Sequence, residues 1–401
     1  MVFRKWKSEK VHGWCIRWFH RQNLSKLNLT QRAVTSRVQA HTHGVTCLQV
    51  VGTRVITGSW DGVVKIWNLQ RGEDANGIRA PSPENQETTV SKHDNKRTSI
   101  LRKAISPPTV KDTEARKLGL KFVHQFSHHE GPVECLKVSG DFLATGGRGN
   151  RTALILWSLK TLARLKVIPW EHDAVTCLDL NKKYLIGASR TLLHVISLGD
   201  LRIKGTQRFP TSSIVKVTLT SVGFITVCMS GSVTVWNLGD SHEITQIGQV
   251  TTASHILYAR IRARKVESEF EILTAHKDGA VRGLLVHDRS PHDQENQDPL
   301  ESRIIAHPLH EFECVSDWAT GVDLNEVNGI QAVSCWDGKI RLWSLFEGDK
   351  RVRAILQDTG SAVLSLQISD NILIAGCYDG SVSVLEFPKF RLPSNVKQTS
   401  L

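Results

Sequence analysis

Four aspartates in this chain stand directly before a glycine, which makes them the first candidates for carboxylate chemistry. They are Asp61, Asp278, Asp337 and Asp379. General acid–base catalysis by carboxylates needs two such groups, with different pKa values, in one site. Each of these aspartates belongs instead to a separate copy of a repeated pattern, so we predict that they do not form a catalytic pair. Asp-Gly between alternating apolar residues favours the turn of a β-hairpin.

Histidine and cysteine, the common metal ligands, show no metal-binding spacing. The 17 histidines are scattered, and His128 and His129 are adjacent, so that they cannot present two ligands on one face. None of the eight cysteines forms a CxxC pair, and five recur at equivalent places in the repeats: Cys47, Cys135, Cys177, Cys335 and Cys377. This recurrence favours packing in a reducing compartment, cytoplasmic or nuclear. Phosphate-loop, zinc-hydrolase, serine-hydrolase and EF-hand motifs are missing too. We therefore predict no catalytic residue, no metal and no cofactor.

The elements that carry the turns are short hairpins that repeat along the chain. Ile56 to Leu69 reads ITGSWDGVVKIWNL, and the pattern returns at Val333 to Leu345 and Ile374 to Phe387, with a weaker copy at Leu273 to Val286. Self-similarity of this kind predicts a repeat architecture. The sequence divides into seven three-strand cores at about 44–69, 131–159, 174–198, 213–238, 255–286, 318–345 and 361–387.

The first hairpin closes on Trp-Asp-Gly, continues with Ile-Trp-Asn and follows the stretch AHTHGVTCL. In these features it resembles a WD-repeat β-propeller, over about residues 32–387. The resemblance implies an all-β fold, a seven-bladed WD-repeat β-propeller, with a short N-terminal helix. It also implies a buried hydrogen-bonded network in blades one and six, with these members: His41, Thr57 or Ser59, Asp61, Trp67, Asp337 and Trp343. We expect no such network in the diverged blades three, four, five and seven, whose substitutions are Ile196, Ser230, Leu284 and Leu385.

A strand ahead of the first repeat is expected to close the ring. The last repeat supplies only three strands before it ends at Phe387, whereas Arg32 to Val38 reads as a further strand. Pairing it as the outer strand of blade seven would leave no open edge there. The predicted organisation is a docking segment at 1–31, the propeller at 32–387 and a flexible tail at 388–401. Two polar stretches, about 72–118 and 287–302, are predicted to be disordered inserts.

The N-terminal segment is basic and rich in tryptophan. Residues 1–37 hold nine Lys or Arg and one acid, Glu9, within a chain of net charge +12. Val11 to Phe19 has the apolar spacing of a helix, and its neighbourhood supplies the residues that we expect to dock on the propeller or on a partner: Trp6, Trp14, Trp18 and Phe19. The spacing resembles the linker of F-box/WD substrate receptors. A complete F-box needs a three-helix segment upstream of this linker, which we do not expect in this chain.

In the WD-repeat family the residue before the turn aspartate projects from the narrow face, where propellers bind peptides. Aromatic residues at this place would lie on three consecutive blades, and arginines would lie in the corresponding turns of blades two and three. The residues assigned to this face are Trp60, Trp336, Tyr378, Lys277, Arg148, Arg151 and Arg190. Trp and Tyr are enriched in binding hot spots, and guanidinium groups bind carboxylate or phosphate. The face therefore suits a short linear motif that is acidic or phosphorylated.

These observations favour a non-enzymatic protein-interaction scaffold. The most specific form of this hypothesis is a substrate-recognition subunit of a cullin–RING ubiquitin ligase that binds a cullin adaptor. The alternative is an RNA- or ribosome-associated assembly factor that uses the basic N-terminal arm to bind nucleic acid. No apolar run of 18 or more residues occurs, and a nine-residue apolar face is short for a membrane surface, so we expect no membrane partner.

Overall fold

The computed structural model describes most of the propeller region of the chain. The described residues are 34–70, 118–149, 153–170, 174–209, 212–221, 223–239, 242–252, 255–264, 269–288, 304–313, 318–325, 330–344, 354–369 and 372–386. The predicted N-terminal helix, its docking residues Trp6, Trp14, Trp18 and Phe19, and the tail at 388–401 lie outside them. Within this part of the chain, no helix has the length and apolar character needed to cross a membrane.

All of the regular elements in the described ranges are β-strands. In chain order they are β1 (Val34–Gln39), β2 (Val45–Val51), β3 (Arg54–Ser59), β4 (Val64–Gln70), β5 (Gly119–Phe126), β6 (Val133–Ser139), β7 (Phe142–Gly147), β8 (Leu154–Ser158), β9 (Ala163–Ile168), β10 (Cys177–Leu180), β11 (Tyr184–Ala188), β12 (Leu192–Ser197), β13 (Ile203–Arg208), β14 (Ile214–Leu219), β15 (Gly223–Cys228), β16 (Ser232–Leu238), β17 (Ile244–Thr251), β18 (Ile256–Ala263), β19 (Glu269–His276), β20 (Ala280–Asp288), β21 (Ile304–Glu313), β22 (Ala319–Asn325), β23 (Ile330–Cys335), β24 (Lys339–Ser344), β25 (Ala354–Asp358), β26 (Val363–Ser369), β27 (Ile372–Cys377) and β28 (Ser381–Glu386).

These strands form seven antiparallel sheets of four strands, the blades of a propeller. Blades one to six are β2–β5, β6–β9, β10–β13, β14–β17, β18–β21 and β22–β25, and blade seven joins β26–β28 to β1. The first strand of each blade contacts the first strands of both neighbouring blades, including β26 with β2, so the ring is closed. The predicted all-β, seven-bladed propeller is confirmed.

Ring closure through the N-terminal strand is also confirmed. Strand β1 pairs antiparallel with β28, from Val34 opposite Glu386 to Gln39 opposite Ser381. Arg37 anchors this strand, because its Nε donates to Ser381 Oγ at 2.9 Å and its guanidinium forms an ion pair with Asp379. This pairing brings together residues that are more than 340 positions apart in the sequence. The first and last strands of the propeller therefore stabilise the same sheet, blade seven.

Apolar packing occurs mainly between blades, since each sheet presents both faces to its neighbours. One cluster joins blades one and two through Ile56 and Leu143, and another joins blades seven and one through Ile374 and Val55. Similar clusters lie between the other adjacent blades. A blade therefore cannot bury its own apolar side chains alone, which is the physical basis of the repeat architecture.

Polar side chains on the innermost strands also join neighbouring blades. Gln49 Oε1 accepts the backbone N–H of Val138 in blade two at 2.7 Å. Gln367 Oε1 accepts the backbone N–H of Val50 across the closure, also at 2.7 Å. Each contact satisfies a main-chain donor of the next blade, which fixes the two blades relative to each other.

Asp323 makes the most buried of these contacts. Its Oδ2 accepts the N–H of Ile368 at 2.9 Å, and its Oδ1 lies 3.2 Å from Arg260 Nε. Asp323 thus links blade six to blade seven on one side and to blade five on the other. Burial raises the pKa of this carboxyl, and the charge of Arg260 opposes that effect.

The predicted inserts differ from the structure at their boundaries. Leu118 is buried and packs with the cluster between blades seven and one, so it does not belong to the first insert. Strand β20 extends to Asp288, because His287 and Asp288 continue the ladder opposite Ile305 and Ile304. Polar residues at the end of an outer hairpin hid this extension from the sequence pattern. The rest of the two predicted inserts, residues 72–117 and 289–302, lies outside the described ranges.

Candidate binding face

A buried hydrogen-bonded network supports the turn of blade one. His41 Nδ1 lies 3.0 Å from Asp61 Oδ2, and His41 Nε2 shares a hydrogen bond of 2.8 Å with Thr57 Oγ1. Trp67 Nε1 donates to the same hydroxyl at 3.0 Å. Thr57 is therefore the central member. Ser59 lies beside the network, where its Oγ donates to His43 O and accepts the N–H of Asp61.

The other blades keep different parts of this network. In blade two, Thr145 Oγ1 bonds to His129 Nε2 at 2.7 Å and accepts from Trp157 Nε1 at 2.8 Å. In blade four, Trp236 Nε1 still donates to Thr226 Oγ1 at 2.9 Å. The expectation that blade four lacks the network was therefore wrong in part, because the threonine–tryptophan bond does not depend on the turn aspartate.

Blade five keeps part of the network although none was expected there, whereas blade six lacks part of the network that was expected. Blade five retains a buried Thr274–His276 hydrogen bond of 2.9 Å, although Leu284 stands at the Trp position. In blade six, Trp343 is buried as predicted, but Val333 occupies the threonine position of blade one. The blade-one type of link therefore cannot form there, since valine has no hydroxyl group.

Thr57→Val is expected to lower the free energy of unfolding by about 2 kcal/mol, because the isosteric change leaves two buried partners, His41 and Trp67, without their common oxygen. Thr226→Val is the matched control and removes the partner of one indole only. Urea unfolding of both variants measures the difference. An equal or larger loss for Thr226→Val would contradict the central role of Thr57.

Each of the four turn aspartates contacts a basic side chain that holds it at the turn. Their partners are His41 for Asp61, Arg282 for Asp278, Arg341 for Asp337 and Arg37 for Asp379. The Arg341 and Arg282 contacts are 2.6 Å and 3.0 Å long. The four carboxylates belong to the turns of four different blades.

The pKa of Asp61 reflects its pairing. Partial burial alone would raise the pKa, but hydrogen bonds from His41 and from the N–H groups of Val63 and Thr42 outweigh burial and lower it to about 2. The pKa values of Asp278, Asp337 and Asp379 are also lowered, because the hydrogen bonds and nearby cations together outweigh burial.

Lowering the pH is expected to reduce the free energy of unfolding of the wild-type chain more steeply than that of the Asp61→Asn variant. Since the pKa of Asp61 falls from 3.8 to about 2 on folding, its stabilising contribution is complete above pH 3.8 and is lost as the pH falls through about 2. The contribution is at most about 2 kcal/mol. Unfolding free energies measured between pH 5 and pH 2 test this. Parallel curves for the two proteins would show that the His41–Asp61 pair does not stabilise the fold.

Exposed aromatic rings form a continuous row across three blades, which we call the aromatic arc: Trp318, Trp336, Tyr378 and Trp60. The ring centroids of Trp318 and Trp336 are 6.4 Å apart, those of Trp336 and Tyr378 5.9 Å, and those of Tyr378 and Trp60 5.4 Å. Trp318, Trp336 and Tyr378 are 48%, 44% and 50% exposed, and Trp60 is half-buried. Large aromatics exposed side by side indicate a binding surface.

Trp318 was not predicted from the sequence. It lies one residue before β22, where its carbonyl accepts the N–H of Trp336 at 3.0 Å. Blade one has Gly44 at this place, and its carbonyl accepts the N–H of Trp60 in the same way. A Cβ on Gly44 would lie 2.9 Å from the Trp60 ring, so glycine lets that ring lie against the backbone. The residue at this place differs in size between blades, being glycine in blade one and tryptophan in blade six. Only its backbone hydrogen bond to the turn of the same blade shows that it belongs to the face.

The predicted cations are distributed unevenly around the arc. Lys277 Nζ lies 5.4 Å from the centroid of the Trp318 ring, at the blade-six end of the arc. Arg148 is exposed, and its Nε lies 3.3 Å from Glu134 Oε1. Arg190 is exposed in blade three, and Arg151 lies outside the described residues. Among the predicted cations that the structure describes, Lys277 contacts the arc.

The recurring cysteines lie in the packing between blades. Cys47, Cys135 and Cys177 carry no disulfide. Burial raises the pKa of Cys47 and of Cys177 to about 12 and that of Cys135 well above its ordinary value. Thiols in this state remain protonated and unreactive.

Comparisons with known proteins relate the first blade to a family and the whole ring to known folds. Residues 32–68 match the family described as WD domain, G-beta repeat. The β-propeller domain of Cps50 (Swd1) from Myceliophteria thermophila is similar to this chain with a TM-score of 0.62 and 14% identity, covering 88% of this chain and 100% of that domain. The computationally designed Ika8 protein has a TM-score of 0.57 and 14% identity, with 87% and 98% of the two chains covered. No curated protein sequence matches the chain. At these identities, the likeness concerns the fold.

Proposed function

We propose that this protein, a WD-repeat β-propeller by its fold and its first blade, is a non-catalytic scaffold that binds short linear motifs on the aromatic arc. The observation that carries the proposal is the unbroken row of four rings on blades six, seven and one. Aromatic side chains bury much area at little conformational cost, and single hot-spot aromatics contribute about 2 kcal/mol or more to binding. The contact of every turn aspartate with a basic side chain supports a structural role for these carboxylates.

The proposal is tested by capturing partners on immobilised full-length protein and on its Trp336→Ala/Tyr378→Ala variant. Quantitative mass spectrometry of the bound fractions should show a set of proteins that depends on the two rings. Circular dichroism of the variant establishes that it is folded. Identical sets of partners on both proteins would contradict binding through the arc.

The finer proposal is that the scaffold is the substrate-recognition subunit of a cullin–RING ubiquitin ligase, in the cytoplasm or the nucleus. It is supported by the resemblance of the N-terminal segment to an F-box/WD linker. A chain that starts at Leu29 should then lose a cullin adaptor while keeping the partners that depend on the arc. Retention of every partner would overturn this assignment and leave the scaffold role intact.

An RNA- or ribosome-associated role is the second candidate, supported by the nine basic residues within 1–37. Phosphate contacts make binding fall steeply with salt, because counterions are released on association. Affinity for a single-stranded RNA should then decrease strongly between 50 and 200 mM salt and should depend on residues 1–28. A flat salt dependence would exclude this candidate.

A further inference from the structure

The two ends of the aromatic arc carry different charges. At the blade-six end, Lys277 Nζ lies over the Trp318 ring at 5.4 Å, and no carboxylate among the described residues pairs with it. The backbone of Lys277 is fixed, since its N–H donates to His255 O at 3.0 Å. At the blade-one end, the cation on the next blade is Arg148, which already contacts Glu134. Lys277 is therefore the cation best placed to receive a ligand's anionic group.

The Lys277 ammonium can exchange its ring contact for a stronger one. A cation–π contact at an exposed site is worth about 0.5–1 kcal/mol. A hydrogen bond to a charged group is worth about 1.5–3 kcal/mol. A carboxylate that reaches the ammonium while the ligand covers Trp318 would therefore be the preferred partner. The lysine stem is long enough to pivot without moving the backbone.

Cationic ligands are disfavoured by the same surroundings. Each ring of the arc that precedes a turn aspartate stands next to a carboxylate that already contacts a basic side chain: Asp61 contacts His41, Asp337 contacts Arg341 and Asp379 contacts Arg37. A positively charged side chain over the arc would therefore meet Lys277 without gaining a free carboxylate from these turns. Repulsion of this kind contributes to specificity as much as attraction does.

The middle of the arc suits apolar residues. The planes of Trp336 and Tyr378 meet at 68°, and those of Tyr378 and Trp60 at 86°. Rings set at steep angles present both faces and edges to a ligand along the row. Proline-rich segments dock against aromatic surfaces of this kind because their extended helix loses little entropy on binding.

We propose that the arc binds an extended peptide with a proline-rich or aliphatic centre and an acidic residue at one end, and that Lys277 receives the acidic side chain. The apolar centre lies over Trp336, Tyr378 and Trp60. The peptide is therefore bound in one direction, with its acidic end toward blade five. This inference rests on the proposed function, since it names the ligand class of the same site.

Selection from a displayed library of random 12-residue peptides tests the inference on the full-length chain. Peptides that bind the wild type, and not the Trp336→Ala/Tyr378→Ala variant, should be enriched in Asp or Glu beside proline or aliphatic residues. For a synthetic copy of an enriched peptide, Lys277→Glu should weaken binding by about tenfold or more, whereas Lys277→Arg should preserve it. Lys121→Glu, a charge reversal at an exposed lysine on the outer strand β5, is the matched control and should have little effect.

The alternative outcomes separate this inference from the proposed function. Enrichment of basic or uncharged peptides would overturn the inference and leave the arc as a binding site. Acidic peptides that bind Lys277→Glu as tightly as the wild type would overturn the assignment of Lys277. Failure to select any peptide that depends on Trp336 and Tyr378 would overturn the proposed function itself.

Discussion

Alanine at both Trp336 and Tyr378 is expected to weaken binding of peptides selected on the wild-type chain by about a hundredfold to a thousandfold. Each ring is a central member of the arc, and hot-spot aromatics contribute roughly 2 kcal/mol each, with incomplete additivity. The rings are 44% and 50% exposed, so their removal leaves the blade cores intact. Isothermal titration calorimetry of the two proteins with one peptide measures the loss.

Met229→Ala provides the matched control for this prediction. Met229 is 43% exposed at the same turn position of blade four, and its N–H donates to Ser213 O at 2.8 Å, as Trp336 bonds to Trp318. The control should bind within about threefold of the wild type, since a neutral contact outside a hot spot contributes little. Equal losses in the control and the double variant would indicate a binding surface that is not confined to the arc.

Asp323→Ala is expected to lower the free energy of unfolding by about 3 kcal/mol. The substitution leaves the buried N–H of Ile368 without its acceptor and the Arg260 guanidinium without its counter-charge. Breaking a buried ion pair by removing one partner costs about 3–5 kcal/mol. Partial exposure of Arg260, 41%, places the effect at the lower end. Urea unfolding followed by tryptophan fluorescence measures it.

Asp323→Asn separates the contribution of the hydrogen bond from that of the ion pair. Its amide oxygen can still accept the N–H of Ile368, but it carries no charge to pair with Arg260. It should be less destabilising than alanine by about 1 kcal/mol, the worth of one hydrogen bond. A loss in Asp323→Ala below about 1 kcal/mol would mean that the contacts across the innermost strands do not hold the blades together.

The sequence was sufficient to predict the number of blades and the closure of the ring. Asp-Gly turns between alternating apolar residues recur in four of the seven blades, and this local pattern indicates a strand, a turn and a second strand. The closure of the ring could be predicted by counting strands, because the last repeat lacks its fourth strand. Strand β1 (Val34–Gln39) supplies it by pairing with β28. Helical spacing at the N-terminus could be interpreted in the same way, but that segment lies outside the described residues.

Contacts between distant residues could not be predicted in the same way. The pairing of Arg37 with Asp379 and of Gln367 with Val50 depends on the ring closing, and neither has a local sequence signature. Thr57 and Ser59 are two residues apart on β3 and therefore share a face, so the strand pattern could not choose between them. The choice depends on the positions of His41 and Trp67, which both bond to Thr57 Oγ1. Trp318 joins the arc only because its backbone pairs with the turn that carries Trp336.

Hydroxyl-radical footprinting of the full-length chain, with and without a selected peptide, tests most directly whether the aromatic arc is the binding site. The account predicts that the peptide protects Trp318, Trp336 and Tyr378 from oxidation, while Met229 and Phe122, which are exposed elsewhere on the propeller, keep their reactivity. Unchanged oxidation of the three arc residues, with protection at Phe122 or Met229 instead, would contradict it.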